Sequence, residues 1–182
     1  LLIAIFAGLL PVDAVDGNNY ILNTHKSAYN NGSQIWQISE YSNGWMYFAN
    51  NKGLVQHNGS AWHSYSFGGH SVLASKSRKC IFVGGINEFG YFKTRADGDL
   101  IYTSLSKNSK HAAIGNVWNI WDDGNIIYFQ GDNMIYEYIN GRHKVIDAHS
   151  KINATALING ALYLGTGNGM KMLVGDRGMR MP

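Results

Sequence analysis

Cys80-Ile81-Phe82-Val83-Gly84-Gly85-Ile86-Asn87-Glu88-Phe89-Gly90 decides the fold, because three other stretches repeat its plan. They are Trp45-Met46-Tyr47-Phe48-Ala49-Asn50-Asn51-Lys52-Gly53-Leu54, Ile126-Ile127-Tyr128-Phe129-Gln130-Gly131-Asp132-Asn133-Met134-Ile135 and Ala161-Leu162-Tyr163-Leu164-Gly165-Thr166-Gly167-Asn168-Gly169-Met170. Each places an aromatic residue at one register (Tyr47, Phe82, Tyr128, Tyr163), then an apolar residue, then a small or polar turn. The aromatics are spaced by 35, 46 and 35 residues, a period that marks a repeat architecture.

Each unit extends in both directions. An apolar strand precedes the aromatic one: Ile35 to Ile38, Ser71 to Ala74, Val117 to Trp121 and Ile152 to Ile158. A third follows the turn: Leu54 to His57, Phe89 to Phe92, Met134 to Tyr138 and Met170 to Val174. A fourth is visible in three units: Ala61 to Tyr65, Leu100 to Ser104 and His143 to Ile146. Glycines such as Gly44, Gly98 and Gly141 fall between these strands, where positive φ is cheap only for glycine. No helical periodicity competes. Four short antiparallel strands repeated at about 40 residues describe a β-propeller blade. The chain is therefore expected to be an all-β propeller of about four blades, with units over 35–70, 71–116, 117–151 and 152–182. Residues 175–182 close no recognisable element, so an incomplete arc of a larger propeller is expected. Its open sides would expose unpaired blade faces.

Composition agrees with packed strands. Only 15% of the 182 residues are charged and 13% are aromatic, against about 25% charged in an ordinary soluble domain. That excludes a disordered chain, which lacks apolar side chains to bury, and a heptad coiled coil. Pro11 and Pro182 are the two prolines, so ladder donors are intact throughout the repeats. Residues 1–10, LLIAIFAGLL, followed by Pro11-Val12-Asp13-Ala14, read as the apolar core and cleavage end of a signal peptide, over 1–14. Ten apolar residues fall short of the roughly 20 that span a bilayer. Residues 15–34 form a lead-in.

Removing Asp13 with the leader raises the net charge from +3 to +4. The basic clusters Lys76 to Lys79 and Arg142 to Lys144 sit in turn-like stretches, which fits solvated loops and not a nucleic-acid surface. Cys80 lies in an apolar strand and reads as a buried structural thiol. No two histidines stand three or four apart and no cysteine pair exists, so no metal is expected. Gly165-x-Gly167-x-Gly169 is followed by a strand and no Lys-Ser/Thr, so it is turn glycine and not a phosphate loop. No Gly-x-Ser-x-Gly elbow is present. No catalytic residue and no cofactor are assigned.

Trp36 and Trp118 occupy equivalent places in the first strands of their units. They could form a sugar-stacking platform, but aromatics in phase with a repeat are expected in the core between blades. Asn87 and Glu88 are the candidate ligand-binding residues. They stand in a turn between two apolar strands, where an acid serves no packing purpose; a structural turn hydrogen bond is the competing reading.

Asn43 to Leu54, followed by His57-Asn58-Gly59-Ser60-Ala61-Trp62, resembles the two-component-regulator propeller repeat. Ile81 to Phe92, with Leu100-Ile101-Tyr102-Thr103-Ser104-Leu105 after it, looks like the second blade of certain Bacteroidetes sensor-regulators, and Tyr29 to Ile38 is similar to their lead-in. Those proteins join a periplasmic propeller to a triple-tyrosine domain, a membrane helix and a LuxR-type or histidine-kinase output. The resemblance covers about residues 19–174; the third unit departs from it, with Asn133-Met134 in place of the Gly-Leu turn. It implies a periplasmic, non-enzymatic sensor segment of a membrane-anchored regulator. Its partners would be a small-molecule or oligosaccharide ligand, the remaining blades and a downstream output domain, with a homodimer allowed and no nucleic acid bound by this segment. The alternatives are a propeller glycosidase or polysaccharide lyase, or a protein-docking scaffold.

Overall fold

In the computed structural model, residues 32, 34–108, 115–173 and 179–180 are described. The signal-peptide expectation for 1–14 and all of the lead-in except residues 32 and 34 lie outside them. Among the described residues, sixteen strands form four antiparallel sheets, each with its strands in chain order. The first sheet holds β1 (Ile35–Glu40), β2 (Met46–Asn50), β3 (Gly53–His57) and β4 (Trp62–Tyr65). The second holds β5 (Gly69–Ser75), β6 (Cys80–Gly85), β7 (Phe89–Thr94) and β8 (Leu100–Ser104). The third is β9 (Asn119–Asp122), β10 (Ile127–Gln130), β11 (Met134–Ile139) and β12 (Arg142–Asp147). The fourth is β13 (Ile152–Ile158), β14 (Ala161–Thr166), β15 (Gly169–Leu173) and β16 (Met179–Arg180). This is a four-bladed β-propeller arrangement.

One correction concerns the C-terminal stretch. Residues 175–182 carry an element after all: β16 pairs with β15 and gives the fourth sheet its outer strand. A two-residue strand is too short to show alternation, so sequence patterning misses it.

The alternation of side chains across each strand puts one apolar face on each side of a sheet. Tyr47, Ala49 and Leu54 pack on Val72, Ile81, Val83 and Phe92 of the second sheet. The opposite face of that sheet, Cys80, Phe82 and Phe89, meets Ile120, Ile127, Phe129 and Tyr136 of the third. Tyr128 and Ile135 then meet Ile152, Leu162, Leu164 and Leu173 of the fourth. The in-phase aromatics Tyr47, Phe82 and Tyr128 are each no more than 2% exposed, because each fills one inter-sheet seam. Cys80 is buried as expected, and burial pushes its thiol pKa up to about 11.

The first strands form the hub. β1 approaches β5, and β5 approaches β9, so these backbones run close together. Gly85 is required there: a Cβ would meet the Gly68 carbonyl oxygen far inside van der Waals contact. Among the described residues, no core cluster joins the first sheet to the fourth.

Candidate functional site

Three of the four hub strands begin with an irregularity. The β1–β2 register slips between Ile35 and Gln37, the β5–β6 register between Gly69 and Ser71, and the β13–β14 register between Ile152 and Ala154. One residue is therefore left over in each case: Trp36, His70 and Asn153. In the third sheet Trp118 stands in the same place, since its N–H bonds the Gln130 carbonyl at 2.8 Å while Asn119 pairs with that same residue. A bulge leaves its extra residue outside the ladder and re-aims its side chain.

Three of these side chains meet at the mouth of the hub. His70 stacks on Trp118 with ring centroids 4.9 Å apart and planes 22° apart. Trp36 meets His70 edge-on at 4.8 Å and Trp118 at 6.0 Å. Trp36 is 42% exposed, so much of the residue is open to solvent. The expectation that Trp36 and Trp118 fill the core between blades is thus corrected. Their repeat phase is real, but it is the phase of the bulge. Trp45, just before β2, and Trp121, within β9, do pack against the core clusters.

Beside Trp118 lies a recess of about 390 Å³, lined also by Asn119, Gln130, Asp132, Lys151, Ile152 and Asn153. Asp132 organises it. Its Oδ1 accepts the Trp118 indole N–H at 2.7 Å, and its Oδ2 accepts the Asn116 backbone N–H at 3.2 Å. Gly115, at φ 71°, takes a backbone conformation that favours glycine, and a Cβ there would lie 2.6 Å from Asp132 Oδ2 and push that carboxylate aside. Gln130 Oε1 accepts Asn119 Nδ2 at 2.9 Å and the Thr155 hydroxyl at 2.6 Å. That pair of bonds ties the recess to the fourth sheet. Burial holds the His70 pKa below its usual value, against the opposing pull of Asp132, so the ring is neutral at neutral pH. Its Nδ1 is buried with no hydrogen-bond partner.

The two residues expected from sequence sit at the same end of the molecule but point differently. Asn87 is exposed with φ 55°. Its Oδ1 accepts the Gly115 N–H at 2.9 Å, and its own N–H bonds the Gly115 carbonyl at 2.8 Å. Asn87 thus connects through Gly115 and Asn116 to Asp132 and Trp118. Glu88 turns toward the outer strand of its sheet, where Tyr102 donates to Oε1 at 2.6 Å. Burial raises the Glu88 pKa, but hydrogen bonds from Ser104, Tyr102 and Ser106 and the charge of Lys107 outweigh it and hold the carboxyl low. Sequence reasoning placed no weight on His70, Asp132, Lys151 or Asn153. The one signal for His70 and Asn153 is positional: each hub strand starts with an aromatic or polar residue at a single register; Asp132 and Lys151 carry no such signal. Among the described residues, no group of three or more His, Cys, Asp or Glu could hold a metal ion.

This geometry can bind. An exposed indole beside amides, a carboxylate and an ammonium offers both an apolar platform and directional hydrogen bonds.

No protein-family model matches the chain, and no curated protein matches its sequence. Solved structures do match. Two are of the extracellular domain of BT4673 from B. thetaiotaomicron, described once as a one component system and once as a hybrid two component system. Their TM-scores are 0.61 and 0.63 at 17% identity, over 81% and 83% of this chain. The likeness is one of fold. A third, the WD40 β-propeller domain of Doa1, has a TM-score of 0.56 at 10% identity, over 74% of this chain and 49% of its own. The chain spans 22% of the length of the BT4673 structures it matches.

Proposed function

We propose that this chain is part of an extracytoplasmic sensor propeller of a membrane-anchored one- or two-component regulator, and that it binds a glycan-derived oligosaccharide at the hub mouth. The observation that carries the ligand reading is the exposed Trp36 ring set against His70 and Trp118 beside a polar recess. A flat ring face complements the axial C–H face of a pyranose, and amides around it match hydroxyls. The fold likeness to the extracellular domain of a bacterial regulator supports the sensor reading. In this reading the chain acts in the periplasm, by binding and without turnover. Further blades and an output domain of the same protein are its partners. Signal passes because ligand favours one of two sensor conformations, which requires a differential affinity for them.

Asn87 and Glu88 belong to the proposed ligand-binding end, Asn87 through its link to Gly115 and Glu88 through its place in the neighbouring turn. Binding to a glycan array, followed by calorimetry on the hits, tests the reading. Trp36→Ala and Trp118→Ala are each expected to weaken affinity by about 1–3 kcal/mol, within the range of a binding hot spot, with the far-UV spectrum unchanged. Release of shortened products from a bound glycan would replace the sensor by a propeller glycosidase or lyase.

A further inference from the structure

We infer that Gln130 selects a sugar bearing an acetamido group, by donating to its amide carbonyl in the recess beside Trp118. The inference rests on the sugar reading above and names the substrate class of the same site.

Charge does not choose the ligand here. Asp132 and Lys151 both line the recess, so a carboxylate and an ammonium offset one another. The selective group is a neutral one. Gln130 closes β10 and is only 2% exposed, yet it lines the recess. Its amide is oriented by a one-way chain of hydrogen bonds. The Trp121 indole N–H, which can only donate, donates to Thr155 Oγ1 at 2.9 Å. The Thr155 hydroxyl in turn donates to Gln130 Oε1 at 2.6 Å, and Asn119 Nδ2 donates to the same oxygen at 2.9 Å. Both lone pairs of Oε1 are thereby used. Turned over, the amide would set N–H donors against Asn119 Nδ2 and leave the Thr155 hydroxyl without this acceptor. Nε2 stands on the other side of the carboxamide. Among the described residues it donates to no group, and it is not one of the polar atoms sealed off from solvent without a partner. Its two N–H donors are left to the recess.

A nearly buried N–H is costly until an acceptor reaches it. A ligand carbonyl is the matched group: it accepts, and unlike a hydroxyl it brings no proton that needs an acceptor of its own. The rest of an acetamido group has counterparts too. Its methyl suits the apolar side of the recess, where Trp118 and Ile152 stand. Its N–H can donate to Asp132, whose two oxygens hold one hydrogen bond each and keep further acceptor capacity. A plain hydroxyl in the same place leaves the methyl contacts unmade. A site built to donate to one ligand group discriminates against the analogue lacking it, because its own buried donor is then left unpaired.

The probes are the N-acetylglucosamine trimer and N-acetylgalactosamine, each beside its hydroxyl twin, the glucose trimer of the same linkage and galactose. Calorimetry on the whole chain is expected to show at least one acetamido probe binding about tenfold or more tighter than its twin, the order of one buried hydrogen bond with a methyl contact. Gln130→Glu keeps the oxygen that Asn119 and Thr155 need and takes away the amide donors. It should bring the ratio between twins to within about threefold. Loss of folding alone would not move that ratio, since both twins would lose equally. Gln130→Met, which removes donors and acceptor together, should narrow the ratio in the same way and also lower the melting temperature. Twins that bind the unaltered chain equally would overturn this inference and leave the sugar reading standing. A ratio that survives both substitutions would also overturn it. If all four probes fail, a glycan array decides: hits that share an acetamido group support the inference, and hits without one overturn it alone. An array with no hits removes the sugar reading as well.

Discussion

His70 stands between the indoles of Trp36 and Trp118 with Nδ1 buried, so a proton on it finds no partner. Its pKa in the folded protein lies below the usual value near 6.5. Between those two values the unfolded chain holds more protons than the folded one, so stability falls as pH drops below about 6.5. His143, lowered by burial, adds with the same sign. Asp122 and Glu88 are held below the usual carboxylate range, and their contribution is lost only at lower pH, as it falls through their folded values. Acidification should therefore lower the melting temperature in two stages. In His70→Phe the first stage should be smaller and the second intact, measured by fluorimetric melting from about pH 8 to about pH 3. At the same scale, Glu88→Gln should weaken ligand binding while the chain still folds; unchanged affinity with an unchanged melt removes Glu88 from the site.

Between elements, one polar joint does more than the others. Asp122, at the end of β9, accepts the Ser75 hydroxyl of β5 at 2.8 Å, the Arg78 guanidinium at 3.2 Å and the Gly124 N–H at 2.9 Å. Its carboxylate and Arg78 are only 14% and 18% exposed, so the second and third sheets are clamped where water competes weakly. Arg95–Asp97, at 56% and 52% exposure, is a hairpin ion pair in open solvent. Asp122→Ala should cost about 1–3 kcal/mol, since it strands a partly buried guanidinium and a hydroxyl. Arg95→Ala should fall within about 0.5 kcal/mol of wild type. Urea denaturation of both variants decides whether burial, and not ion pairing as such, sets the value. In the seam itself, the rings of Phe89 and Phe129 lie 4.4 Å apart, and Phe89→Ala should cost about 3–5 kcal/mol by leaving a cavity between two sheets.

Across the whole molecule, the seams repeat but the outermost faces differ. Ile38, on the first sheet, is 55% exposed, and Ile158 and Met170 of the fourth are 51% and 55% exposed. Their counterparts inside the arrangement are covered by a neighbouring sheet. Apolar faces of this kind are association surfaces. The isolated chain should therefore self-associate as concentration rises. Ile38→Lys combined with Ile158→Lys should suppress that association, seen by light scattering behind a sizing column, with a melting temperature close to wild type. A parent chain that stays monomeric at high concentration would show that these faces do not attract one another.

Most of the architecture was legible in the chain because it depends on local alternation. Tyr47, Phe82 and Tyr128 each fall at one register of an alternating strand, and alternation dictates which face is buried wherever that face has a sheet to meet. β16 escaped because two residues carry no period. The candidate site was mostly illegible for a different reason. Trp36, His70, Trp118 and Asn153 stand 34, 48 and 35 residues apart, and their role depends on a bulge that lifts each one out of the ladder. Phase alone could not tell a bulged tryptophan from a packed one. Asn87 was singled out for its turn, but its tie to Gly115, Asp132 and Trp118 exists only once the second and third sheets are side by side. The order of the strands, the four repeated units and the alternation of buried faces were thus determined by the sequence alone, through the two-residue period of the backbone. The tertiary structure decided which aromatics face solvent and which polar groups are left without a partner, because both depend on neighbours tens of residues away.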